Sequence, residues 1–139
     1  MRVFLDTNIV LDVLLKREPF FQASYDVMRQ AAMDKLDCYI SASAITDIFY
    51  VLRKALSDRN AAKVQLEGLL EIVGVADVLT EDVYGALSSN MPDFEDAMVA
   101  MIAARWKAKY IVTRNARDFD QSPVPAVAPD ALLAGKGEG

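Results

Sequence analysis

The chain predicts an α/β fold, a three-layer α/β/α sandwich whose central, mostly parallel sheet has four to five strands. Short apolar runs alternate with longer segments whose apolar residues recur at helical spacing, a pattern of parallel strands with helices on both faces. The 139 residues, 53% of them hydrophobic, supply chain and apolar material for one buried core. No repeat, linker or compositional break divides the sequence, so residues 1–134 read as one domain and the glycine-rich 135–139 as a flexible tail.

Val3-Phe4-Leu5 reads as a short buried strand. Asp6 or Thr7 caps the helix that follows, which carries Ile9, Val10, Val13, Leu14 and Leu15. Pro19 suits the first turn of a second helix running to about Leu36. Cys38-Tyr39-Ile40 is the second strand. Ser41 or Ser43 caps a third helix with Ile45, Ile48, Phe49, Leu52 and Leu56 on one face. A fourth helix is expected near 59–71, then a short strand from Val73 to Val78 broken by Gly74. Thr80 caps a helix to about Ser89, and Pro92 and Asp93 open an alanine-rich helix suited to close packing on a sheet. Tyr110-Ile111-Val112 is the clearest strand. Val124 to Val127 forms an edge strand, because Pro125 cannot donate to a ladder. Pro129 to Leu133 forms a short last helix.

Composition removes whole classes of chemistry. There is no histidine, so Ser-His-Asp and Cys-His catalysis and His-ligated zinc are excluded. The single cysteine, Cys38, lies in an apolar strand, which makes it a buried structural residue and suggests a cytoplasmic protein. No apolar run has the length of a signal peptide or a membrane span. The net charge of −5 argues against a nucleic-acid binder. The distribution of charge softens that argument: Arg105, Lys107, Lys109, Arg114 and Arg117 place five cations in thirteen residues, and Lys16-Arg17 and Arg53-Lys54 form two pairs. Each is either a solvated face or a phosphate contact. Trp106 and Tyr110, beside this stretch, either stack bases or pack in the core, and core packing is the favoured reading.

Without histidine, hydrolysis falls to carboxylates and metal-bound water. Three aspartates stand where a parallel sheet gathers ligands, beyond the carboxyl ends of its strands, and Asp96 joins them on the assumption that its helix starts near the same edge. Asp6 follows the first strand directly, and Asp47 lies one turn into the helix after the second. Asp96 is in the first turn of the alanine-rich helix, and Asp118 follows the Tyr110–Val112 strand. Asp6 is a helix cap or a ligand, and Asp96 a dipole-stabilising residue or a ligand. Asp47 is flanked by Ile45, Ile48 and Phe49 on a core helix, which favours a functional role. Asp118 is a turn residue or a ligand. Carboxylates this close repel one another unless a cation neutralises them, and oxygen-only ligands select Mg²⁺ or Mn²⁺.

The opening Val3-Phe4-Leu5-Asp6-Thr7-Asn8 resembles the start of a PIN domain. So do Asp93-Phe94-Glu95-Asp96-Ala97 and the stretch from Tyr110 through Thr113-Arg114-Asn115 to Asp118-Phe119. The motifs come in the right order over nearly the whole chain, and the size is similar to the VapC-like toxin branch. That resemblance implies a Mg²⁺- or Mn²⁺-dependent endoribonuclease. Asp6 matches the first acidic position, Asp47 one usually held by Glu, and Asp96 the third. The fourth is left between Asn115 and Asp118, while Asn8 and Thr113 position the site. The resemblance further implies an RNA substrate, a cognate antitoxin and a homodimer. Two other readings stand beside it: an inert binding module of the same fold, and a phosphatase with Asp6 as nucleophile, which Asn8 disfavours because that chemistry wants a second Asp two residues on.

Overall fold

In the first strand, β1 (Arg2–Leu5), Val3, Phe4 and Leu5 are all buried although successive side chains point to opposite faces. Both faces of the sheet are therefore covered. The computed structural model describes residues 1–135. After β1 come α1 (Thr7–Leu14), α2 (Phe21–Ala32), β2 (Asp37–Ser41), α3 (Ala42–Leu56), α4 (Arg59–Leu70) and β3 (Gly74–Ala76). Then follow α5 (Thr80–Ser88), α6 (Phe94–Arg105), β4 (Tyr110–Val112), a 3₁₀ turn (Ala116–Phe119), β5 (Ala126–Val127) and α7 (Pro129–Gly135).

The five strands run in the order β3-β2-β1-β4-β5, and every neighbouring pair is parallel. The two-residue alternation sorts the core into two layers. Val3, Leu5, Cys38, Ile40 and Val112 face α1, α2, α3, α4 and α7. Phe4, Tyr39, Ala76 and Ile111 face α5, α6 and the 3₁₀ turn. The small Ala97, Ala100 and Ala103 let α6 lie close to the second face. This is the predicted three-layer sandwich, with five strands all parallel. Cys38 is buried in the first layer, where burial, with the charge of Asp37, pushes its thiol up to about 12.

Several local expectations shift. Helix α2 starts after the turn at 18–20 that contains Pro19, and it stops at Ala32 rather than near Leu36. The stop is Asp34, which adopts the left-handed conformation that Asp tolerates, after which Lys35 and Leu36 both donate to the Gln30 carbonyl. Gly74 does not break β3; it begins it. A Cβ at that position would collide with the Tyr39 ring, so the glycine permits the close approach of β3 to β2. Thr80 is not the cap of α5: Leu79 holds that place, and its amide donates to Asp82 at 2.8 Å. Of the two serines proposed for α3, Ser41 is the cap, accepting from the Ser43 amide at 3.1 Å. Edge strand β5 is only two residues long; Pro125 precedes it and contributes its carbonyl to Ile111. Of the tail 135–139, Gly135 closes α7 and the remainder lies outside the described residues. Among the described residues no helix is long and apolar enough to cross a membrane.

Candidate active site

The chain places β2 and β3 on one side of β1, then returns to place β4 and β5 on the other. A parallel sheet wound this way opens a crevice at the carboxyl ends of its two central strands. Asp6 sits at that point. Its amide donates to the Val112 carbonyl at 2.9 Å, tying the end of β1 to the end of β4. Asp6 holds the N-cap position of α1, but its side chain makes no capping bond. The carboxylate is turned to the crevice, where Oδ2 accepts from Thr113 Oγ1 at 2.7 Å and from Asn8 Nδ2 at 3.3 Å. Thr113, fully buried, directs its proton because its oxygen already accepts from the Asn115 amide at 3.0 Å. Burial raises the Asp6 carboxyl above its ordinary value, against the opposing pull of the Thr113 bond and the Arg114 charge.

Asp96 reaches the same edge because α6 runs antiparallel to the strands. The far end of α6 is anchored below β1, where Arg2 Nη1 donates to the Trp106 carbonyl at 2.9 Å. Its first turn therefore opens at the crevice. Asp93 caps that turn, accepting from the Asp96 amide at 2.9 Å. The Asp96 carboxyl is pushed up to about 7, first by burial, then by the charges of Asp6, Asp93, Asp118 and Glu95. Four of the chain's carboxylates thus act on a fifth at one point of the surface.

Asp6, Asp47 and Asp96 line one cleft of about 550 Å³, with Thr7, Ser43, Ala44, Phe94, Glu95, Met98 and Val99. Asp47 is not a charge set into the core. Its apolar neighbour Ile48 turns into the core, while Asp47 itself is exposed on the cleft side of α3. Asp118 is exposed on the 3₁₀ turn, close enough for its charge to act on Asp96, but it does not line the cleft. Asn115 is exposed, and its part in the site is its backbone amide on Thr113. Asn8 donates an amide hydrogen to Asp6 and has no proton to give a leaving group, so the second acid of an Asp-nucleophile phosphatase is missing there.

The donor set fits a hard divalent cation in kind: the polar side chains lining the cleft (Asp6, Thr7, Ser43, Asp47, Glu95 and Asp96) all offer oxygen, and the one sulfur is the buried thioether of Met98. Asn8 Oδ1, buried beside Asp6, has no hydrogen-bond partner. The carboxylates surround the cleft rather than close on one point. Among the described residues no group of three or more Asp, Glu or Cys side chains is gathered tightly enough to hold an ion as it stands.

The basic stretch divides at β4. Trp106, Lys107, Lys109 and Tyr110 lie at the opposite edge of the sheet from the cleft, beside Arg2 and Val3. Arg105, at the end of α6, is committed to the connection between β3 and α5, with Nη2 on Asp82 at 2.8 Å and Nη1 on Asp77 at 3.1 Å. Trp106 packs on Tyr39 at 4.9 Å between ring centroids, and Tyr110 packs against the first core layer. Neither aromatic is placed to stack a base at the cleft. Arg114 and Arg117 follow β4, at the end of the sheet where Asp6 sits; the charge of Arg114 acts on Asp6, while Arg117 lines a separate depression with Phe119, Asp120 and Pro125. Arg114 is held by fully buried Asp12 in a two-pronged pair of 2.8 and 3.2 Å, with Phe20 under its guanidinium. Arg117 is exposed and makes no salt bridge among the described residues. Sequence reasoning gave no role to Asp12 or Phe94; it read Asp93 as opening its helix, which it does as the cap, but not as the residue that fixes Asp96. The available signals were a charge inside the apolar run of α1, and a cap residue three positions before Asp96.

Ribonuclease VapC1 of Aquifex aeolicus (strain VF5) is 26% identical to this chain over 121 residues, 82% of this chain and 81% of that protein. In fold, the chain is similar to the crystal structure of VapBC2 from Rickettsia felis bound to a DNA fragment from their promoter. The TM-score is 0.73 at 18% identity, over 92% of this chain and 98% of that one. A toxin-antitoxin complex from Klebsiella pneumoniae gives 0.66 at 17% identity, over 91% and 97%. Residues 2–117 match the PIN domain, a stretch that carries Asp6, α6 and β4 alike, and the chain belongs to the PIN domain family.

Proposed function

We propose that this protein is a divalent-metal-dependent endoribonuclease and the toxin of a toxin–antitoxin pair. The observation that carries the reading is the convergence of Asp6, Asp47 and Asp96 on one oxygen-lined cleft at the crevice of the sheet. Similarity to a ribonuclease over most of both chains, and to a toxin-antitoxin complex in fold, supports it.

Asp6, Asp96 and Asp47 would hold Mg²⁺ or Mn²⁺, with Asp118 beside them. When bound, the ion lowers the pKa of water and neutralises charge on a phosphoryl oxygen. The chain's own contributions are positional. Thr113 and Asn8 fix one oxygen of Asp6 and leave the other to face the cleft. Asp93 fixes the first turn of α6 and with it Asp96. Arg117 offers a cation to the substrate backbone, and unpaired bases supply the specific contacts. The protein works in the cytoplasm as a homodimer, and a cognate antitoxin covers the cleft.

Purified protein is incubated with single-stranded and structured RNA, with and without Mg²⁺ or Mn²⁺. Cleavage is expected only with metal. Asp6→Asn loses activity beyond the roughly 10–100-fold that removal of a supporting contact such as Thr113 costs. Calorimetry with Mn²⁺ shows binding to wild type and not to Asp6→Asn. RNA that stays intact at every metal concentration, together with tight binding to a co-encoded partner, identifies an inert module instead.

A further inference from the structure

We infer that Phe94 is the platform on which the cleft seats an unpaired base of the RNA substrate, an inference that rests on the ribonuclease reading. Phe94 opens α6, one residue after the cap Asp93 and two before Asp96. It lines the cleft, yet 47% of it is exposed. Among the described residues no other aromatic ring and no cation lies against it. Its position is nonetheless well defined, because the Asp93 cap fixes the turn it stands on and Met98, one turn on, is buried beneath the same wall.

The cleft lining therefore offers two kinds of surface. The carboxylates of Asp6, Asp47, Glu95 and Asp96 supply one, and the apolar groups of Phe94, Met98, Val99 and Ala44 supply the other. An occupant suited to both presents a flat apolar face next to an anionic group that a divalent cation can join to carboxylates. A nucleotide does so: its base covers the ring while its phosphodiester lies toward Asp6 and Asp96. The base must be unpaired, since in a duplex both of its faces are already stacked. Among the described residues Phe94 is the one aromatic side chain that lines the cleft; Trp106 and Tyr110, the stackers suggested by the sequence, do not.

The test measures binding of a fluorescein-labelled single-stranded RNA by anisotropy in Ca²⁺, with a gel to confirm that the RNA stays intact. Phe94→Ala weakens binding about tenfold, within the range for loss of one stacked base. Phe94→Leu weakens it similarly, because an aliphatic side chain of like size gives no stacking face. Phe94→Tyr and Phe94→Trp keep the wild-type affinity. In Phe94→Trp the new indole is quenched by RNA while Trp106, at the far edge, gives a constant background. Unchanged affinity in Phe94→Ala, full affinity in Phe94→Leu, or an equal loss on fully paired RNA each overturns the inference. So does a Phe94→Ala protein that binds RNA normally but loses a protein partner. If wild type cleaves RNA with metal and the Phe94 variants behave as wild type, this inference alone fails. If wild type neither binds nor cleaves RNA, the ribonuclease reading fails with it.

Discussion

A single aspartate illustrates how the site stores charge. Asp96 is half-buried and acted on by Asp6, Asp93, Asp118 and Glu95, which together with burial push its carboxyl up to about 7. In the unfolded chain the same group titrates near 3.8. Between those values the folded protein holds a proton that the unfolded chain has released. Stability therefore falls as pH rises through that window and levels off above about 7. Asp6, raised in the same direction, adds to the slope. Asp96→Asn removes the charge at constant shape. In chelator it is expected to stabilise the protein at pH 8 by about 1–2 kcal/mol, well under the full shift because the group is partly exposed. At pH 4 it is expected to change little. Added Mg²⁺ should raise the Tm of wild type more than that of Asp96→Asn, since binding to the folded state alone stabilises it. Thermal melts across pH check both statements, and a wild-type-minus-variant difference that does not change with pH would refute them.

At the scale of elements, α1 is fastened to the loop after β4 by one buried ion pair. Asp12 is fully buried on α1, and its partner Arg114 comes from 102 residues later. Removing one partner leaves the other charge uncompensated, so Arg114→Met is expected to cost about 3–5 kcal/mol in urea unfolding. The double variant Asp12→Leu/Arg114→Met recovers most of that, because no buried charge remains. A double variant as unstable as the single one would show that packing, not charge, dominates. This pair also marks where the sequence stops being readable. The strands were legible because each lies in a short apolar run, although β3 and β5 occupy only part of theirs. Asp6 was legible because it directly follows a strand of a parallel sheet; Asp96 rested on an assumed start for α6, which follows another helix and so has no strand end to fix it. Asp47 and Asp12 were not separable, since each lies among apolar neighbours. Which of the two is buried depends on helix rotation and on a distant arginine, and local spacing carries neither. The cap of α5 went the same way, unlike Ser41 of α3: Thr80 has the right chemistry for a cap, but Asp82 reaches back to the Leu79 amide and Arg105 grips Asp82 from α6.

For the whole molecule, the question is how a chain of net charge −5 meets a polyanion. The five cations between residues 105 and 117 are contiguous in sequence but not in space. Strand β4 separates them, at about 3.3 Å per residue, so that residues before it lie at one edge of the sheet and residues after it at the other. Arg105 is consumed by Asp77 and Asp82, and Arg114 by Asp12. Lys107 and Lys109 are exposed before β4, which leaves Arg117, in the depression next to β5, as the cation of this stretch that is exposed, without a salt bridge among the described residues, and on the Asp6 side of the strand. Each phosphate contact contributes about 0.7 to the slope of log affinity against log salt for a single strand. Arg117→Ala is therefore expected to weaken RNA binding several-fold and flatten that slope by about 0.7, measured by anisotropy at fixed divalent concentration. Lys107→Ala/Lys109→Ala should change neither quantity, although it removes twice the charge. If binding followed net charge rather than position, the double lysine variant would show the larger effect, and that ordering would overturn the division of the basic stretch into a structural edge and a substrate edge.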